Sequence, residues 1–498
     1  MKTLFEIMKK ILLLLLLMPI LIFGQTSNFG TGLNFDNEGY EKIPVKTRSF
    51  AFQGEVLQPD SISLKKYAPQ IRNQGGHGTC VGWATAYYAQ SITIAREKGV
   101  TDKSLVTDNA FSPLFLYVNA KKNTDPYCKE GIGIPTALHK MKEIGSPLYK
   151  DFSARCAIEI PDSVYQKAKS HQLKEFTKLF GLKEDFRVRI RETRKALMNG
   201  HPVLMGMDIS NAFLSANVVY EPDSISVGGH AMAIIGYDDN KFDGGAFEVI
   251  NSWGEDWGNN GFMWIRYKDF AESVRYGFEL VFEEVPQEDI VVTNKLEAGL
   301  ELTEFGYPLQ VKRKKDNGGQ GYQTTIYDES GLGIADYETK KKFEKGTSYR
   351  IKTSISQPAY VYVFGADTKR PIERLFPVND SISAFINAKD VYVMIPEKKS
   401  DGRQGRIQLN TDDVLSDYTI AIVSLEELNM QDIKDKVDTM EGPVIDRFYE
   451  VLKDKLIASA DMALAEDVMG FKAEFENGAA AILAVDIRRS DYKAPTDE

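Results

Sequence analysis

A thiol at the boundary between a glycine-rich loop and an apolar helical pattern can serve as a nucleophile. Cys80 stands at such a boundary, in Gln74-Gly75-Gly76-His77-Gly78-Thr79-Cys80-Val81-Gly82-Trp83-Ala84. From Val81 to Ala95 the residues are mostly small or apolar and Gly99 punctuates the end, so the pattern predicts a buried helix with Cys80 in its first turn. There, unpaired backbone N–H groups and the positive end of the helix dipole favour the thiolate. Gln74 precedes Cys80 with three glycines between them. The loop can therefore fold back and aim the Gln74 amide at the space above the sulfur, where an oxyanion donor would stand. A lone cysteine more often packs as a small hydrophobe, so the reading rests on partners. Two β-favouring stretches supply them: Gly228-Gly229-His230-Ala231-Met232 presents a base, and Val249-Ile250-Asn251-Ser252-Trp253-Gly254 presents an amide.

Together these three stretches, with Gln, Cys, His and Asn in that chain order, resemble the papain-like cysteine peptidases from about Ser61 to about Phe282. The resemblance implies a lobe of helices and a lobe of strands with a cleft between them. It makes Cys80 the nucleophile, His230 the general acid/base, Asn251 the residue orienting the imidazole, and Gln74 with the Cys80 backbone N–H the oxyanion hole. A histidine within reach would hold the thiol as a thiolate with a pKa of ~3–4. Asn251 can accept the other imidazole N–H without adding the charge an aspartate would bring, and Trp253 would shield that bond and line the substrate cleft. Gly131 and Gly133, in Gly131-Ile132-Gly133-Ile134-Pro135, resemble the family's channel glycines, whose backbone binds an extended peptide; the other reading is that they simply turn the chain. The sequence departs from the family at His77-Gly78-Thr79-Cys80-Val81, where the loop cysteine and the Trp after the nucleophile are missing. Trp83 is expected to fill that packing role and His77 to lie on the loop surface.

The chain begins with Lys9 and Lys10 followed by an apolar run from Ile11 to Phe23, and Gly24-Gln25 offers a small-residue cleavage point. Residues 1–24 therefore read as a secretory signal, too short and too interrupted by Pro19 for stable membrane insertion after processing. A secreted or periplasmic protein results, and disulfides are allowed there. Three cysteines are present. With Cys80 assigned to catalysis, Cys128 and Cys156 remain; papain-like enzymes often have a disulfide in this region of the helical lobe, the alternative being two buried thiols. Residues 25–58 form a short polar leader. It lacks the long apolar periodicity of a helical propeptide, which argues against autoinhibition and leaves only an extended segment in the cleft as a way to block it.

Helices are expected at Cys80 to Lys98, Ser112 to Lys121, Pro135 to Ile144, Asp162 to Leu173 and Val188 to Asn199, and strands beyond His201. These make residues 59–285 the peptidase domain. Residues 286–342 read as a linker and first strands, and 343–490 as a β-rich domain with runs such as Ala359-Tyr360-Val361-Tyr362-Val363-Phe364, a helix at Val444 to Ala458 and a closing strand at Ala479 to Ile487. The stretch from Phe343 to Leu428, with Arg374-Leu375-Phe376-Pro377 inside it, resembles a bacterial β-rich domain of unknown function attached to peptidase modules. The fold class is thus α+β, a papain-like two-lobe domain followed by a β-sandwich-like domain.

The 498 residues carry a formal net charge of −10, which argues against nucleic acid as a partner. No Cys or His pair has zinc-ligand spacing, so neither a metal nor a cofactor is expected. Protein or peptide substrates are, together with an envelope partner for the C-terminal domain. The function that follows is an exported cysteine peptidase cutting within chains. The competing reading is a peptide-binding or envelope interaction protein with little turnover on the same scaffold.

Overall fold

The computed structural model describes residues 29–47, 59–154, 156, 159–282, 294–314, 331–387, 393–396 and 405–492. Residues 1–24, expected to be a secretory signal, lie outside them. Among the described residues no helix is long and apolar enough to cross a membrane.

Cys80–Gly82, Trp83–Gln90 and Ser91–Glu97 run on as one helical rod whose middle part is widened into π turns. Small and aromatic residues cover this rod all round, and it is buried from Cys80 to Thr93. Against it lie two helices. Pro113–Ala120 starts with proline in the first turn, and the Ser112 side chain accepts from the Phe115 N–H. Ile134–Ile144 follows Gly133 and also carries proline in its first turn. The expected helix from Asp162 to Leu173 stops at Lys169, and Leu173–Lys178 is a strand pairing with Val274–Phe282. Tertiary pairing overrides local helical preference there.

An eight-stranded sheet forms the second layer, in the order Leu173–Lys178, Val274–Phe282, Val203–Ser210, Ser226–Asp238, Ala246–Ile250, Phe262–Arg266, Val219–Tyr220, with Ser61–Ser63 added against Ser226–Asp238. His230 sits on the long strand Ser226–Asp238. Asn251 lies just past the end of Ala246–Ile250, which pairs with that strand. The sheet thus brings two residues 21 positions apart to one edge of the cleft.

Beyond residue 294 two further sheets face one another. One contains Asn294–Glu304, Ser348–Ile355 and Met469–Phe475; the other contains Ala359–Ala366, Ser416–Ser424 and Ala480–Arg488. Strand alternation explains the apolar run at 359–366: Val361 and Val363 point between the sheets, while Tyr360, Tyr362 and Phe364 point out under the helices Met430–Thr439 and Val444–Leu452. The second helix is shorter than the expected Val444 to Ala458, and the first was not expected.

The two halves meet along a polar seam. Tyr360 Oη donates to the Glu175 carboxylate, which also takes Lys142 Nζ at 2.8 Å. Lys142 reaches on to Glu427 at 3.4 Å. Nearby, His201 Nδ1 lies 2.8 Å from Glu279 Oε1 and 3.1 Å from Asn387 Nδ2.

Candidate active site

The four sequence-selected residues converge where the rod meets the sheet. Cys80 is fully buried and is a free thiol in the rod's first turn. His230 Nε2 lies 2.8 Å from Asn251 Oδ1. That same oxygen accepts the Ser252 backbone N–H at 2.7 Å, and a backbone N–H can only donate, so the atom is an acceptor and His230 Nε2 must carry the proton. His230 Nδ1 is then a bare lone pair, and it is buried without a hydrogen-bond partner. Trp253 lies against the imidazole with ring centroids 4.5 Å apart, and Phe213 meets it edge-on at 6.2 Å, so apolar surface encloses the histidine.

Burial governs the charges. It pushes the Cys80 thiol up to about 12, against the opposing pull of backbone N–H groups from Ala231, Val81 and Gly32. Burial likewise brings the His230 imidazole down to about 4, although the bond to Asn251 works the other way. The expectation of a thiolate at ~3–4 is therefore corrected. In this state burial disfavours both charged forms, the thiolate and the imidazolium.

Gln74 is held by the residue after Asn251: the Ser252 hydroxyl donates to Gln74 Oε1 at 2.5 Å, and the Gln74 N–H donates to Ser252 O at 2.8 Å. Its Nε2 therefore points inward, where it donates to Gly30 O at 3.0 Å and His77 O at 2.7 Å. His77 is half-buried, its Nδ1 lying 3.3 Å from Tyr127 O. Cys128 and Cys156 form a disulfide that anchors the loop beside this site.

Residues 58–276 match the sequence profile of the papain family cysteine proteases. The chain carries a papain family cysteine protease domain. An uncharacterized peptidase C1-like protein of Acanthamoeba polyphaga mimivirus is 27% identical over 227 residues, covering 42% of this chain and 68% of that protein. Cathepsin J of Rattus norvegicus is 44% identical over 69 residues, 12% of this chain and 21% of that one. Among solved structures, xylellain, a cysteine protease from Xylella fastidiosa, aligns with a TM-score of 0.40 and 20% identity over 51% of this chain and 96% of its own.

The cleft of the protease domain is filled by the chain's own leader. Phe29 stacks on Trp253 with centroids 4.5 Å apart, and Gly30 O takes hydrogen bonds from Gln74 Nε2 and from Trp253 Nε1, each at 3.0 Å. Gly32 and Leu33 both donate to Gly229 O, at 3.2 and 3.1 Å. Ile132 N donates to Gly32 O at 2.9 Å and Asn34 N to Ile132 O at 3.1 Å, so the leader runs parallel to the Gly131–Gly133 segment. The leader's Gly32 N–H is one of the backbone donors directed at the sulfur. The fit admits no side chain at Gly32, where a Cβ would lie 2.1 Å from Gly78 O. Leu33 is buried beside Ile134 and Gly206, and Phe35 lies under the Arg275 guanidinium. Of the alternatives the sequence left open, the structure has the extended segment: a glycine-bearing strand fills a narrow cleft without any helical periodicity.

Of the two channel glycines, Gly131 has φ +77° and comes so close to the leader that a Cβ would lie 2.2 Å from Gly32 O. Gly133 opens the helix Ile134–Ile144 and leaves room for a Cβ, which would lie 3.4 Å from Asn34 O. Ile132, between them, offers its N–H and C=O to the bound strand, and sequence reasoning missed it because its side chain carries no chemistry. Tyr117 and Asp125 were missed as well. The buried Tyr117 hydroxyl donates to Asp125 Oδ2 at 2.7 Å and accepts the Gly131 N–H at 2.9 Å, holding the channel segment in place.

Proposed function

We propose that this chain is an exported cysteine endopeptidase held latent by residues 29–35 of its own leader. The observation that carries the reading is the unpaired Nδ1 lone pair of His230, fixed by the tautomer that Asn251 imposes. A buried nitrogen left without a partner costs stability, so it is reserved for a proton that arrives during reaction. Once the leader leaves and water enters, the desolvation that keeps sulfur and imidazole neutral is relieved, and the proton passes from Cys80 Sγ to His230 Nδ1.

The thiolate then attacks the substrate carbonyl carbon. The oxygen gains the charge and is held by the Cys80 N–H and by the Gln74 amide, which the leader's Gly30 carbonyl now occupies. Collapse expels the amine with the proton from His230, leaving an acyl-thioester. Water attacks that ester, gives its proton to His230 Nδ1, and the acid departs as the proton returns to sulfur.

Cleavage within chains is supported by the way the leader passes Cys80, with Phe29 and Gly30 on the Trp253 side and Leu33 to Phe35 on the other. A continuous chain fits. Export is supported by the signal pattern at 1–24 and by the Cys128–Cys156 disulfide, which persists in oxidising compartments. The test is cleavage of a peptide library by leader-free protein. Cys80→Ala and His230→Ala should each abolish turnover with an unchanged circular dichroism spectrum; retained cleavage in Cys80→Ala would refute the assignment.

A further inference from the structure

The leader does not end in the cleft. After Phe35 it forms the short helix Asn37–Lys42, whose fully buried Tyr40 donates to Phe180 O at 2.6 Å and stacks on Tyr276. Residues 44–47 then run extended between two backbones. On the protease side, Lys46 N donates to Lys178 O at 2.8 Å and Lys178 N to Pro44 O at 3.3 Å. On the other side the partners belong to the C-terminal β region: Val45 N donates to Ser381 O at 2.8 Å, Ser383 N to Val45 O at 2.9 Å, and Thr47 Oγ1 to Ser383 O at 2.5 Å. Val45 thus bridges in parallel to Lys178 and to Ile382 at once.

We propose that the C-terminal β region acts as a clamp for the leader. With the edge of the eight-stranded sheet it forms a two-sided slot that takes one extended strand by its backbone, the way a sheet edge takes a peptide. The slot also selects a cation. Lys46 pairs with the Glu279 carboxylate, which is fully buried; burial alone would raise that acid, and Lys46 with His201 instead holds it at about 2. His201 in turn meets Asn387 of the β region at 3.1 Å, so the charge at the floor of the slot is tied to both halves. The occupant is this chain's own segment 44–47, and its seating shares with Tyr40 the task of keeping residues 29–35 over Cys80. Seating of the β region and closure of the cleft are therefore one coupled equilibrium. The inference rests on the peptidase reading only for its effect on activity; the clamp itself is measured without catalysis.

Hydrogen exchange of the full chain, read by mass spectrometry over residues 29–36, tests it. Val45→Pro combined with Thr47→Val removes two of the donors to the β region. It should speed exchange of the Gly30, Gly32, Leu33 and Asn34 amides by about tenfold or more, given the usual worth of such bonds. Thr47→Val alone should act in the same direction to a smaller extent, and unchanged protection of Ala480–Arg488 reports an intact β region. Leader exchange equal to wild type in the folded double variant would overturn the clamp, as would a leader that already exchanges freely in wild type. Faster leader exchange with Cys80 still inert to a thiol reagent would uphold the clamp and sink the peptidase reading instead.

Discussion

In the cleft, buried polar groups are left short of partners: His230 Nδ1 and Asn251 Nδ2 have none. Along the seam between the two halves, comparable groups are matched: Glu279 with Lys46 and His201, and Glu175 with Lys142 and Tyr360. Matched charges hold two surfaces together, and in the proposed mechanism the unmatched lone pair of His230 receives the reacting proton. The leader crosses both regions. Its glycines fill the first and its residues 44–47 complete the second, so one strand runs from the seam to Cys80.

After loss of Cys80 or His230, the largest change expected on the cleft side comes from Gln74. In leader-free protein Gln74→Ala should lower kcat by roughly 10²-fold or more, because an oxyanion donor acts on the transition state. In the full chain the same substitution also removes the bond to Gly30 O and loosens the leader. An unchanged kcat in the leader-free variant would take Gln74 out of the oxyanion hole.

A smaller effect separates the two kinds of buried group by pH. The imidazole of His230 is lowered to about 4 by burial, so between its ordinary value and about 4 the unfolded chain binds a proton that the folded chain refuses. Stability should therefore fall as pH drops through that window and level off below it. Glu279 shifts stability in the same direction but in a lower pH window. Held at about 2, it contributes fully above the ordinary carboxylate range, and that contribution is lost only as pH falls toward 2. Urea unfolding from pH 7 to pH 4.5 should show a shallower pH dependence for His230→Gln than for wild type; parallel curves would mean that the histidine is not held neutral.

Much of the geometry of the candidate site was readable in advance. Gln74, Cys80, His230 and Asn251 lie in short motifs whose neighbours set their placement: glycines before the thiol, and strands carrying the base and the amide. The apolar run 359–364 could be read as a strand, but not that both its faces are covered, since the helix Met430–Thr439 that covers one was not recognised. Its apolar residues Met430, Ile433 and Val437, at spacings of three and four, were the available signal. The charge state of Cys80 could not be read, because it depends on what fills the cleft. The plug itself was hidden for a different reason. Phe29-Gly30-Thr31-Gly32-Leu33 looks like loop composition, and close backbone approach leaves no periodic trace. Strand Leu173–Lys178 was not recognised, because its partner, Val274–Phe282, is a hundred residues away in sequence.

The most direct test of a Cys80 nucleophile closed off by its own leader is intact-mass labelling with an epoxide thiol inhibitor. The full chain, Gly32→Ala and Gly32→Ala/Cys80→Ala would be compared. A Cβ at residue 32 meets the Gly78 carbonyl at 2.1 Å and cannot be seated, so the leader should leave the cleft. Slow labelling of the full chain, at least about tenfold faster labelling of Gly32→Ala with a single adduct, and loss of that adduct with Cys80 are expected, since a reaction gated by an opening equilibrium follows the open population. Equally fast labelling of the full chain and Gly32→Ala, or an adduct that survives Cys80→Ala, would contradict it.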